Sequence, residues 1–154
     1  MNRENFQFYA SIAEVVSAIA IVVSLLYVGY EIRQSVVFSS RDIEETLYAR
    51  QQEDNRIFIE NGNLAQIVAT ARDHPDQLSA ADRSRYLAFA HNLYDSWEIA
   101  FYAHRDGILR DGAWDSWNEY FVRQSRIHPN FAWTENRQYF PGEFSEYVDG
   151  IVQE

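Results

Sequence analysis

The sequence predicts an all-α protein in which an N-terminal transmembrane helix continues into a small helical bundle. Three observations carry that prediction. Residues 15–30 read VVSAIAIVVSLLYVGY without a charge. Downstream, apolar residues recur at helical spacing, and no stretch alternates over the length of a strand. The helical stretches are punctuated by Asn61-Gly62, His74-Pro75, Asp106-Gly107 and His128-Pro129, all of them helix-ending or turn-forming pairs.

The first element is the apolar one. Only Glu14 interrupts residues 6–30. A bilayer core of ~30 Å needs about 20 apolar residues in a helix. Residues 12–30 supply that length, with Phe8, Tyr9, Tyr27 and Tyr30 where interfacial aromatics belong. The competing reading is a buried hydrophobic hairpin partner within a soluble bundle. A cleaved signal peptide fits poorly, because Glu4 accompanies Arg3 and the one small-x-small site, Ala18-Ile19-Ala20, lies inside the run. An uncleaved anchor over residues 1–32 is therefore expected, with an acidic α-helical domain over 33–154. Arg33, Arg41 and Arg50 on the carboxyl side outweigh Arg3 and the α-amine by a small margin. The positive-inside rule then places the C-terminal domain in the cytoplasm.

Within the span, Ala10, Ala13, Ser17, Ala20 and Ser24 are spaced by three and four, which puts them on one helix face. Small residues let transmembrane backbones approach closely. Glu14 lies one residue from the stripe and about 9–10 Å along the axis from the helix centre. An ionised carboxylate there costs less than the ~2.5–3.5 kcal/mol of the bilayer midplane. Ala13, Glu14, Ser17, Ala20 and Ser24 are thus the candidate helix-packing set. A snorkelling terminal glutamate beside chance small residues is the plainer alternative.

Residues 31–60 contain no glycine or proline, and Ile32, Val36, Ile43, Leu47 and Ile57 recur near a heptad spacing. Ser39, Arg50 and Asp54 interrupt that seam, and Ser39-Ser40 is a candidate break. Asn61-Gly62 reads as the carboxyl cap and Asn63 as the cap of a short helix bearing Leu64, Ile67 and Val68. Ser79 with Asp82 forms a capping-box variant opening a helix over 80–105. Asp111 is the expected cap of the next helix, which runs to about Arg126. Pro141 is expected to start a last helix bearing Phe144, Tyr147, Val148 and Ile151. Aromatic residues make up 16% of the chain, and their stripes read as core: Trp114, Trp117 and Phe121 on one helix, and Phe89, Leu93, Trp97 and Phe101 on the helix before it.

One polar constellation has metal-ligand spacing. His91, Asp95 and Glu98, with Tyr102, share a stripe of the 80–105 helix. One imidazole and two carboxylates suit a hard or borderline divalent ion. The same stripe lies opposite the Phe89–Leu93–Ala100 face, so it is equally the solvated side of an amphipathic helix or a buried polar network. No second carboxylate–histidine pair completes a di-metal site. His74 and His128 each precede a proline and read as turn chemistry. His104 falls on the apolar side of its helix, as a core histidine would. No serine sits in a nucleophile elbow, and no residue pattern supports a catalysed reaction or a bound cofactor.

Composition narrows the function classes further. The 154 residues contain no cysteine, which excludes a disulfide framework, a thiol nucleophile and any thiolate-ligated metal. All 13 basic residues are arginine, and the net charge is −10. A chain with a pI near 4.8 lacks the basic footprint a nucleic acid requires. Arg3, Glu4 and Glu14 sum to −1, so the remaining −9 belongs to residues 31–154.

The chain resembles a widespread, functionally uncharacterised family of small bacterial proteins with one N-terminal membrane helix and a compact α-helical domain. The resemblance rests on residues 12–20 (IAEVVSAIA), residues 27–34 (YVGYEIRQ), Leu78-Ser79, Phe101-Tyr102 with Arg105, Gly107-Ile108-Leu109, Trp114 with Trp117, and Phe140-Pro141 through Val148-Asp149. Such proteins look glycine-like where Ser17 stands and Asn-Thr-like at Ser35-Val36. The resemblance implies an anchor in the bacterial inner membrane and carries no activity or catalytic residue. The expected function is a self-associating scaffold or interaction module, with the lipid bilayer, a second copy and an unidentified protein as partners. The alternatives are a metal- or ligand-binding helical sensor on His91, Asp95 and Glu98, and an ion-conducting oligomer using Glu14.

Overall fold

The computed structural model describes residues 3–140 and 142–152, with side chains described from residue 12. Among these residues the fold is all-α: six helices and no strand. They are α1 (Arg3–Glu60), α2 (Gly62–Asp73), α3 (Ala80–Arg105), α4 (Asp111–Ile127), α5 (Asn130–Asn136) and α6 (Glu143–Val152). Short 3-10 turns occupy Pro75–Gln77 and Arg137–Tyr139. The chain divides into two compact units, Met1–Phe38 and Ser39–Glu154.

α1 shows no break at Ser39-Ser40. Both residues are helical, and Ser40 is buried with its hydroxyl directed to Glu44 Oε1 at 3.4 Å. In the Met1–Phe38 unit, every residue from 12 to 38 is exposed. Leu25 and Leu26 present 67% and 70% of their surface. α1 is the one described helix long and apolar enough to cross a membrane. Phe8, Tyr9 and Ala10, read from the sequence as interfacial or packing residues, have side chains outside the described residues.

In the Ser39–Glu154 unit, α3 is the central helix and packs against α2, α4, α5 and α6. Its buried face is Tyr86, Ala90, Tyr94, Trp97 and Ala100. Trp97 and Ala100 belong to the face expected from the sequence, Leu93 and Phe101 pack partly buried against the core, and Tyr86, Ala90 and Tyr94 extend it. α1 contributes Ile43 and Leu47 to this core, and Leu47 is 1% exposed. Trp97 sits at its centre with no exposed surface. Its ring lies 5.9 Å from those of Phe121 and Phe144, and its Nε1 donates to Asn118 Oδ1 at 2.9 Å.

The helix ends follow local chemistry, with three differences from expectation. Ser79 caps α3, accepting from Asp82 N at 3.1 Å while its hydroxyl donates to the Asp82 carboxylate at 2.7 Å. α3 ends at Arg105, and Gly107 turns the chain away with a φ of 72° open to glycine, as Ile108 N returns to Ala103 O at 2.8 Å. For α2 the cap is Asn61 rather than Asn63: Asn61 Oδ1 accepts from Leu64 N at 3.1 Å. Asp111 is the first residue of α4 rather than its cap, where its charge still favours the helix N-terminus. The third difference is α5 itself. In the sequence Phe131, Trp133, Tyr139, Phe140 and Phe144 crowd the tail with no helix expected between His128-Pro129 and Pro141, yet a short helix forms at Asn130–Asn136 and buries Ala132 and Trp133 in the core. Pro141 lies outside the described residues.

Candidate functional site

The helix-packing set stands on α1 with all five side chains exposed. Ala13, Ser17, Ala20 and Ser24 fall within a narrow arc at 100° per residue, and Glu14 flanks it. The Ser17 hydroxyl donates to Ala13 O at 2.7 Å, which folds that side chain onto the helix and keeps the ridge slender. No large side chain stands on this arc between Ala13 and Ser24.

His91, Asp95 and Glu98 occupy neighbouring turns of α3, all half-buried rather than on a free solvated face. His91 Nδ1 lies 3.0 Å from Asn136 Oδ1, and its Nε2 lies 3.6 Å from Asp95 Oδ1. Its ring packs on Phe140 at 5.0 Å and edge-on to Tyr139 at 5.5 Å. Asn136 is buried and donates to Ala132 O at 2.9 Å and Leu87 O at 3.4 Å. The α5 segment and the turn after it therefore pack on His91 and draw it into a polar network, while Asp95 faces Arg50 at 3.9 Å. Burial, with the Asp95 charge second, pushes the Glu98 carboxyl above its ordinary value. Among the described residues no group of three His, Asp or Glu side chains is arranged to hold a metal ion. The free imidazole nitrogen, His91 Nε2, faces one carboxylate, that of Asp95.

Two histidines differ in how the sequence placed them. His104, expected as a core histidine, stacks on Trp114 with ring centroids 4.9 Å apart and planes within 2°, but its side chain is 33% exposed and stands at the edge of the buried core rather than in it. His128, read from its His-Pro context as turn chemistry, has a tertiary role. Its Nδ1 lies 2.6 Å from the hydroxyl of Tyr86, a side chain with no exposed surface. Burial holds the Tyr86 phenol well above its ordinary value, so it stays protonated and donates to Nδ1. The sequence signal available was a tyrosine at the start of the α3 core face, which needs a partner for its hydroxyl once buried.

His128 lines a groove of ≈ 270 Å³ formed by α1, α2, α3 and α4 within the Ser39–Glu154 unit. Its apolar walls include Phe58, Phe89 and Tyr120, and its ionisable groups are Asp54, Arg72 and His128. A second, shallower groove of ≈ 540 Å³ runs past His91, Glu135, Asn136 and Tyr139. The smaller groove combines apolar walls with a few polar groups, as small-molecule sites do.

Burial pushes the His128 imidazole below its usual 6.5. A base with a depressed folded value leaves stability unaffected above the unfolded value and loses it as pH falls from about 6.5 through the folded value. Wild-type unfolding midpoints should therefore drop between pH 7 and pH 5, and His128→Gln should flatten that slope. Asp54 and Glu98 act with the opposite sign, since burial raises both, so the difference between wild type and variant isolates His128. Tyr86→Phe should cost about 1–2 kcal/mol by leaving Nδ1 without its donor. An identical pH slope in His128→Gln would remove this assignment.

Fold and sites together define an all-α chain with one helix able to cross a membrane and an acidic helical bundle. Comparison with family models, curated proteins and solved structures returns no match.

Proposed function

We propose that the protein is a membrane-anchored α-helical interaction module. Residues 12–30 hold it in the bilayer by a single span, the small-residue stripe pairs one copy with another, and the acidic bundle presents its surface to a protein partner. The observation that carries this reading is the unbroken exposure of an apolar segment: residues 12–38 are all exposed, among them ten Ile, Leu and Val side chains between 12 and 30. Water is a poor solvent for so large an apolar surface, and a bilayer is a good one. The resemblance to small bacterial membrane proteins supports the inner membrane as that bilayer, and the arginines after the span favour a cytoplasmic bundle. A charge of −9 on residues 31–154 keeps the bundle off anionic lipid headgroups and free for a partner.

In lipid, helix association depends on close backbone approach rather than on the hydrophobic effect. Ser17→Leu and Ala20→Leu each place a bulky side chain on the slender ridge. Sedimentation in detergent should show wild type as an oligomer and both variants shifted towards monomer. A strictly monomeric wild type, unaffected by either change, would refute self-association. Membrane anchorage is tested separately by extraction and does not depend on that outcome.

A further inference from the structure

We propose that the groove between α1, α2, α3 and α4 binds a small organic ammonium cation, with Asp54 taking the charge and Phe58, Phe89 and Tyr120 surrounding the substituted nitrogen. The proposal is independent of the membrane reading. It starts from a half-buried carboxylate on which the charge of Arg50, one turn back on α1, acts without forming an ion pair. Among the described residues no arginine or histidine forms an ion pair with Asp54. Its one side-chain partner is Asn92, whose Nδ2 donates to Oδ1 at a long 3.5 Å. The cations nearby are engaged elsewhere: Arg50 Nη1 lies 3.9 Å from Asp95, and Arg72 pairs with Asp73 at 2.8 and 3.0 Å. A half-buried charge with no direct ion pair is unfavourable, and a cationic ligand lowers that penalty.

The walls select the kind of cation. Phe58 and Phe89 stack with centroids 6.2 Å apart, and Tyr120 lines the same groove. Aromatic faces attract a substituted ammonium group through their quadrupoles and match its apolar methyl groups. A hydrated metal ion gains nothing from such walls and finds too few oxygen ligands around a single carboxylate. An anion meets Asp54 and a chain of net charge −10, which also raises the local concentration of cations. Burial keeps His128 neutral near pH 7, and the one cation lining the groove among the described residues, Arg72, is balanced by Asp73. The same charge balance favours a free cation over a phosphocholine headgroup, whose phosphate would face the acidic surface.

Calorimetry on the full-length protein in maltoside detergent tests this, with choline as the probe and 3,3-dimethylbutan-1-ol as its uncharged isostere. Choline should bind one per chain, at least tenfold tighter than the isostere. Asp54→Asn should weaken choline at least tenfold, and Phe89→Leu, which keeps apolar volume but removes the ring, several-fold. Dihexanoylphosphatidylcholine should not displace choline. The proposal is overturned if choline does not bind at millimolar concentration, if the isostere binds as tightly, or if Asp54→Asn leaves affinity unchanged. Displacement by the lipid would overturn the assignment to a free cation. The comparison of choline with its isostere uses wild type alone, so it stands even where a variant misfolds.

Discussion

Ile21→Arg should move the protein out of the membrane fraction. Ile21 lies at the middle of the 12–30 segment and is 61% exposed on α1. The ten Ile, Leu and Val residues of that segment each favour insertion by about 0.3–0.6 kcal/mol at the helix centre, a gross gain of about 3–6 kcal/mol. Arginine at the midplane opposes insertion by about 2.5–3.5 kcal/mol, and the isoleucine contribution is lost as well. The change is as large as most of the gain, so it decides the outcome. Alkaline extraction followed by flotation should find wild type and Ile21→Leu with the lipid, and Ile21→Arg largely in the soluble or aggregated fraction. Ile59, 79% exposed near the end of α1, supplies the control. Ile59→Arg should leave partitioning unaltered, because exposure alone does not place a residue in lipid. An Ile21→Arg protein that floats like wild type would refute the span.

The second large effect is on stability. Trp97→Ala should destabilise the bundle by about 3–5 kcal/mol, the range for removing a large buried aromatic side chain. Trp97 is fully buried, contacts the rings of Phe121, Phe144 and Tyr147, and satisfies its Nε1 through Asn118. Truncation forfeits those contacts and leaves the Asn118 carbonyl without its donor. Against a typical total of 5–15 kcal/mol, that loss is a large fraction. Trp97→Phe keeps much of the ring packing and should cost less, near the value of one lost hydrogen bond plus a small cavity. Trp114→Ala, at a half-buried position stacked on His104, should fall below Trp97→Ala. Urea denaturation followed by circular dichroism ranks the three. A Trp97→Ala midpoint within about 1 kcal/mol of wild type would show that the core is not organised around this residue.

Much of this architecture is legible along the chain because it is local. Ser79 and Asp82 are three residues apart, and their cap needs nothing beyond the first turn of α3. Gly107 turns the chain away after that helix by the backbone conformation it permits, and His128-Pro129 ends α4. The apolar character of residues 15–30 is visible in composition alone. Where local signals compete, the sequence is less decisive. Asn61 and Asn63 are both capping residues, and the cap falls to Asn61 because its side chain reaches Leu64 N. Asp54 reads as an interruption of an apolar seam, yet it is half-buried against Asn92 on α3.

The candidate sites divide along the same line. The small-residue stripe on α1 is a matter of spacing, so its composition from Ala13 to Ser24 is readable along the chain. His91, Asp95 and Glu98 share a stripe by spacing, but the surroundings of His91 come from Asn136, Tyr139 and Phe140, which no helical wheel includes. The groove beside His128 draws residues from four helices and has no sequence signature.

The sequence by itself determined an all-α chain, the apolar segment, its small-residue ridge, and most helix starts and stops. These rest on interactions within one or two turns and on the solvent preference of a contiguous segment. Only the tertiary structure decided that α5 forms, that Tyr86 meets His128 across 42 residues, and that His91 meets Asn136 across 45. The physical reason is that periodicity reports which face of a helix is apolar, but not which neighbour that face will meet. A seven-residue helix such as α5 is unstable alone. It exists here because Ala132 and Trp133 have a core to enter.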